Sequence, residues 1–367
     1  MPSHAFPASY AEARASFLRD AALRTRVIES ATHPRVVGAE GEPLAIDFAL
    51  LGEREAPALL IVLSGTHGVE GFCGSACQVA LLRDDAFVDD VRAGGTAVLL
   101  VHAVNPYGFS HLRRANEDNV DLNRNFRDFS QPRPDNAAYA ELHSMLVPDT
   151  WPPTAGNTAA LMGIVARHGM RAFQAIVSGG QNAFSDGLFY GGSEPAWSNG
   201  AVRDALARHG AQRSRIAWLD LHTGLGPPGG VERIWAGHDD AADVTRARTW
   251  WGADVTSFHD ASSSSAALSG AMYTAVYDAC PAAEFTGITL ECGTRPLQEI
   301  FHALRAEQWL HNHPSAPASA RASIKRALRD AFHVESPEWQ DAALRHAREA
   351  ALAGVRGLAA GALATRS

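Results

Sequence analysis

His67 and Glu70 in THGVEG and His222 in DLHTG are the side chains that first suggest chemistry. A neutral imidazole and a carboxylate three residues apart can chelate one divalent ion, and nitrogen with oxygen suits zinc. His222 adds a third ligand and leaves the fourth position of a tetrahedral ion open for water. Zinc held in this way lowers the pKa of its water and polarises a carbonyl. Hydrolysis of an amide also needs a proton carrier, and Glu291 in TLECGT can take the water's proton and hand it to the leaving amine. Arg114 suits an oxyanion, and Asn123 with Arg124 suits a substrate carboxylate through paired hydrogen bonds. Asp121 can fix the tautomer of a ligand histidine. HxxE alone occurs readily by chance. Its weight comes from the other three segments following in order.

The elements that must carry these residues are legible as alternating apolar runs and helical stretches. The run LLIVL at 59–63 reads as a strand covered on both faces, and Gly65, Gly68 and Gly71 turn the chain around His67 and Glu70. Helical composition follows from Gly71. The pattern predicts a helix over 10–31, strands over 44–51 and 97–104, and helices over 137–147, 159–177 and 201–209. Further strands are expected at 216–221, at 231–236 beside it, and at 286–290, with helix from 296 onward. Each polar segment falls just beyond a strand, where open α/β sheets hold their ligands. The expected architecture is α/β, with a central mixed, mostly parallel twisted sheet flanked by helices on both faces. No linker divides it, so one domain over 1–367 is expected, with a motif-bearing core at about 44–295 and a helical C-terminal part at 296–367.

The motif order HxxE, NPxG, NVDLNRNF, strand-end His and strand-end Glu resembles the zinc carboxypeptidases related to carboxypeptidase A. The resemblance covers roughly 59–126 and 216–294, and NVDLNRNF is its most specific part. HGVE is also similar to the HGxE of the succinylglutamate desuccinylase and aspartoacylase relatives. The flanking EGFCGSA looks closer to a bacterial branch of unassigned substrate. The resemblance implies one Zn2+ per chain on His67, Glu70 and His222, with Glu291 as general base and Arg114 at the oxyanion. It further implies that Asn123 and Arg124 bind the substrate's carboxylate and that Asp121 orients His67. A substrate-capping tyrosine falls to Tyr273, with Tyr277 in competition, and Arg113 competes with Arg114. The implied activity is that of a metallocarboxypeptidase. N-acyl amino acid hydrolysis is the alternative, and an inactive peptide-binding module is a second alternative from another class.

The resemblance implies a peptide or an N-acyl amino acid as substrate, and composition disfavours other partners. A net charge of −8 disfavours nucleic acid and anionic membranes, and no apolar stretch reaches a membrane span. The start of the chain lacks the basic and apolar regions of a secretory signal, and four cysteines in 367 residues are no disulfide framework, so a cytoplasmic location is expected. Gly224 to Gly229 matches GxGxxG after a strand, but two prolines and a following strand argue against dinucleotide binding. No G-x-S-x-G elbow or Walker loop is present. The oligomeric state is left open. Asp220, two residues before His222, shares its strand face, and the aromatic loop Phe189-Tyr190-Gly191-Gly192 with Trp197 is a candidate pocket wall.

Overall fold

A computed structural model describes residues 5–364, so the first four and last three residues of the expected domain lie outside the described residues. The chain runs α1 (Tyr10–Ala22), β1 (Ile28–Val37), β2 (Pro43–Leu51), β3 (Ala58–Ser64), α2 (Gly71–Arg83), α3 (Asp85–Ala93), β4 (Thr96–His102) and α4 (Pro106–Ser110). There follow α5 (Ala137–Leu146), α6 (Ala155–His168), α7 (Met170–Ser178), α8 (Trp197–His209), β5 (Arg215–Gly224), β6 (Val231–Trp235) and α9 (Ala241–Trp251). The last elements are α10 (Thr274–Ala279), β7 (Glu284–Gly293), α11 (Leu297–Asn312), α12 (Ala318–Phe332) and α13 (Pro337–Ala364).

One seven-stranded sheet in the order β1-β2-β4-β3-β5-β7-β6 organises the domain. The central strands β4, β3, β5 and β7 are parallel, and the outer pairings are antiparallel. Every residue of β3 and β4 is buried, as their unbroken apolar runs require. Alternation divides β3 between two cores. Leu60 and Val62 join the helices α1, α2, α3 and α13, while Leu59, Ile61 and Leu63 face α8 and α10. The chain leaves β3 for β4 on one side and returns to β5 on the other. That reversal opens a crevice at the carboxyl ends of β3 and β5, where ligands settle in open α/β sheets.

Several expectations are corrected. The helix expected to 31 stops at Ala22, and Val27 and Ile28 belong to the approach and start of β1, an edge strand antiparallel to β2. Its register shifts between Thr32 and Val37 around Pro34, which an edge strand tolerates because proline lacks the donor a central ladder needs. The single helix expected over 159–177 is two, broken where Gly169 takes a φ of +84°. β6 pairs with β7 and not with the 216–221 strand, since β7 lies between them. β5 and β7 also run longer than expected, so His222 and Glu291 are in-strand partners rather than residues beyond the strand ends. Among the described residues, no helix is long and apolar enough to cross a membrane.

The C-terminal helices are tied to the crevice by a buried ion cluster. Glu307 of α11 lies 2.8 Å from both Arg113 Nε and Lys325 Nζ, and Lys325, from α12, is the chain's only lysine. Burial would raise the pKa of Glu307, but Arg113 and then Lys325 hold it down at about 2. A depressed carboxylate contributes stability above its unfolded pKa of about 4.3 and loses it as the pH falls through the folded value. Glu307→Gln should therefore cost about 3 kcal/mol at pH 7 in urea unfolding, because two buried cations are left uncompensated. The gap from wild type should narrow between about pH 4 and pH 2.

Candidate metal centre and its cavity

The loop after β3 is shaped by close packing on a second loop. A Cβ on Gly68 would lie 2.0 Å from the backbone carbon of Gly108, so HGVE can rest on NPYG only with glycine there. Asn105 accepts from Gly108 N at 2.8 Å and donates to Arg114 O at 3.0 Å. Val69 N and Gly68 N bond to Arg113 O and Arg114 O. The three loops thus set the backbone of His67, Glu70 and Arg114 together. Glu70 then begins α2, while β5 delivers His222 next to Glu291 of β7 in register.

In the crevice, His67, Glu70 and His222 converge. His67 Nδ1 lies 2.8 Å from Glu70 Oε1, His222 Nδ1 lies 2.9 Å from Glu70 Oε2, and the two Nδ1 atoms are 3.2 Å apart. All three side chains are buried, and one donor atom from each lies within 4.8 Å of the others. Each outer ring nitrogen faces a carboxylate. His67 Nε2 is 3.3 Å from Asp121 Oδ1, and His222 Nε2 is 2.9 Å from Asp220 Oδ2. On His222, an Nε2–H directed at Asp220 leaves a lone pair on Nδ1 when the ring is neutral, whereas on His67 the Asp121 carboxylate and the Arg114 guanidinium, which can only donate, compete for Nε2. Two imidazole nitrogens and a carboxylate oxygen, with acidic groups behind the imidazoles, are compatible with a metal site of the zinc type.

Electrostatics follow from that packing. Burial would raise the pKa of Glu70, but His67 and His222 hold it well below the carboxylate range. Burial opposes the charge of His222, yet Asp220 and Glu70 draw its pKa well up. Asp121 is likewise buried and is held low by Arg114, Arg124 and His67. Glu291 behaves differently, since burial and then the charge of Glu70 raise it to about 7. Its Oε1 accepts from Leu225 N at 2.8 Å, which leaves Oε2 to exchange a proton.

The remaining sequence-selected residues line one cavity of about 290 Å³ with the cluster, except Asp121, which lies behind His67. Arg114 bonds Asp121 Oδ2 at 2.9 Å and reaches within 3.5 Å of Glu70 Oε1. Its Nη2 also lies 2.8 Å from His67 Nε2. Arg113 points away into the Glu307 cluster, which separates the two candidates by position. Arg124 is buried and gives Nε and Nη2 to Ser178 O and Nη1 to Asn123 O, leaving one N–H on each terminal nitrogen uncommitted. Asn123 Oδ1 accepts from Met272 N at 2.9 Å, and its amide NH2 is the part left for a ligand. Tyr273 lines the cavity, while Tyr277 stacks on His238 at 3.8 Å. Of the aromatic loop only Phe189 reaches the cavity, lying under Arg114 and Arg124 at 4.9 and 5.7 Å. Trp197 packs instead on His33.

Two features escaped sequence reasoning. Thr66 Oγ1 donates to Asp220 Oδ1 at 2.8 Å and so fixes the aspartate behind His222. Its only signal was its place beside His67. The far walls of the cavity come from α6, α7 and α11, whose apolar residues read in the sequence as ordinary helix faces.

Comparison with solved structures finds distant likenesses. Carboxypeptidase A from Helicoverpa armigera is 14% identical over 88% of this chain and 74% of that chain, with a TM-score of 0.45. A metallo-carboxypeptidase from Pseudomonas aeruginosa is 15% identical over 91% and 68%, with a TM-score of 0.42. A metallo-carboxypeptidase from Burkholderia cenocepacia is 13% identical over 95% and 69%, with a TM-score of 0.45. At such identities and scores these likenesses say nothing of this chain's activity. No curated protein matches the chain. The family model described as "Protein of unknown function (DUF2817)" matches residues 6–346, and the chain belongs to that family.

Proposed function

We propose that this protein is a zinc-dependent hydrolase, with one ion per chain, that cleaves an amide bond next to a free carboxylate, as a metallocarboxypeptidase does. The observation that carries this reading is the convergence of His67 Nδ1, His222 Nδ1 and the Glu70 carboxylate, with Asp121 behind His67 and Asp220 behind His222. A zinc ion held by these three would act as a Lewis acid on the scissile carbonyl and acidify a water.

The chain's own residues supply the rest. Asn123 and Arg124 hold the substrate's carboxylate with the amide NH2 and the two uncommitted guanidinium N–H groups, which places the scissile carbonyl toward His67 and His222. Arg114, fixed by Asp121, offers positive charge where the carbonyl oxygen becomes an oxyanion. Glu291 takes a proton from the attacking water at Oε2 and returns it to the leaving nitrogen. A pKa near neutrality matches that double role. Tyr273 closes the cavity over the bound carboxylate. Four free buried cysteines suit the reducing conditions of the cytoplasm.

A second reading keeps the centre and changes the substrate to an N-acyl amino acid. The apolar side chains that α6 and α7 give the cavity favour it, since they offer few hydrogen-bond partners to an extended peptide backbone. Zinc-loaded protein offered a pool of peptides and a pool of N-acyl amino acids, followed by mass spectrometry, separates the two. Loss of C-terminal residues supports the first, deacylated amino acids support the second, and no turnover of either would leave only a binding module.

Two substitutions test the assigned roles. Glu291→Gln should keep its zinc and lose about a thousandfold or more in kcat, and near-normal turnover would remove Glu291 from the mechanism. Asp220→Asn should weaken zinc binding by about 10- to 100-fold in chelator competition, because His222 loses the acceptor that fixes its tautomer. An unchanged affinity would make Asp220 a purely structural acid.

A further inference from the structure

Four arginines are buried among the described residues, and three of them have an acid to answer their charge. Arg113 pairs with Glu307, and Arg124 lies 3.9 Å from Asp121. Burial lowers the pKa of Arg213 while Glu55 pulls it up. Arg305 of α11 has no such partner. It is 5% exposed, and burial alone brings its pKa down to about 10. A buried guanidinium without a counter-charge is costly.

A local role accounts for part of this side chain. Nε donates to Leu146 O at 3.0 Å, and Nη2 donates to Met145 O at 2.7 Å and to Asn157 Oδ1 at 2.8 Å, which caps the end of α5. The negative end of that helix offsets some of the charge. Phe301 and Trp151 lie beside the guanidinium at 5.7 and 5.8 Å and hold it in place. The two N–H groups on Nη1 take no part in the cap. Nη1 is not sealed from solvent, and Arg305 lines the same cavity as His67 and Arg124, so these two groups open on it.

Arg124 is anchored in a similar way. It gives Nε and Nη2 to Ser178 O, at the end of α7. Asn136, just before α5, donates to Ile176 O and Gly180 O, which joins the start of α5 to that same end of α7. The two arginines therefore stand at opposite ends of α5, whose length is about 15 Å.

We infer that Arg305 is a second anion site, so that the substrate carries two carboxylates, one at Arg124 and one at Arg305, on a molecule that spans about 10–15 Å between them. A single guanidinium balances a single charge, which suits a second carboxylate. The assignment holds whichever side of the scissile amide carries the distant carboxylate. It rests on the amide-hydrolase reading for the first one.

The test offers zinc-loaded protein two series of substrates, each with a straight aliphatic arm of matching length that ends in a carboxylate or in the isosteric carboxamide. The arm is the acyl group of an N-acyl-alanine in one series and the side chain of an N-acetyl amino acid in the other. In at least one series, kcat/KM should be about tenfold or more higher for the carboxylate. Calorimetric binding to zinc-loaded Glu291→Gln should show the same preference independently of turnover. Arg305→Gln should bring the carboxylate-to-carboxamide ratio within about threefold of unity, and Arg305→Lys, which keeps a charge, should retain part of the preference. The wild-type ratio decides the anion site even where the α5 cap does not survive the glutamine. Turnover without a carboxylate preference in either series overturns the second site and leaves the hydrolase standing. A preference that persists undiminished in Arg305→Gln overturns the assignment to Arg305. A binding preference without turnover by the wild type supports the site and overturns the hydrolase, and the absence of both removes both.

Discussion

The structure depends on one constraint, the approach of two imidazole Nδ1 atoms to 3.2 Å from each other beside a single buried carboxylate. Two neutral imidazoles tolerate such an approach only when one Nδ1 carries a proton and the other a lone pair, because two lone pairs or two N–H groups facing at that distance repel. It is held from outside. Asp121 and Asp220 stand behind the rings, Thr66 fixes Asp220, and Arg114 fixes Asp121. Those supports in turn come from loops locked by glycine-to-glycine contact and by the Asn105 side chain. The whole crevice is therefore preorganised around a cluster whose donor set could hold a metal ion.

Charge balance explains why Glu291 differs from the other acids of the cavity. Glu70, Asp121 and Asp220 each sit against a histidine or an arginine, whereas the one bond recorded for Glu291 is from a backbone N–H. Burial and the neighbouring Glu70 then set its proton affinity near neutrality. Groups of one chemical type are driven to opposite protonation behaviour by their partners, the arrangement that the proposed roles of Glu70 and Glu291 require.

The sequence made the sheet and the polar residues legible for different reasons. β3 and β4 are buried on both faces, so their composition alone marks them, and NVDLNRNF carries several unusual positions in fixed spacing. His67, Glu70, His222 and Glu291 lie far apart in the chain, but each follows or ends a strand, and parallel register brings strand ends together. What the sequence hid depends on long-range pairing. β1 looked like the continuation of α1 because Val27 and Ile28 fit a helical spacing, and only β2 reveals the strand. β6 was adjacent to β5 in sequence, but β7 takes the place between them. The apolar cavity wall was invisible because residues such as Val165 and Phe173 lie on helices where a core face and a cavity wall have the same pattern.

Zinc K-edge X-ray absorption on the zinc-loaded protein tests the central claim most directly. The account predicts one zinc per chain with only nitrogen and oxygen neighbours at about 2.0–2.2 Å, two of them imidazoles, and loss of that shell in His222→Ala. Scattering from sulfur at about 2.3 Å would place the ion on the cysteines. That result, or an unchanged shell in His222→Ala, would contradict the account.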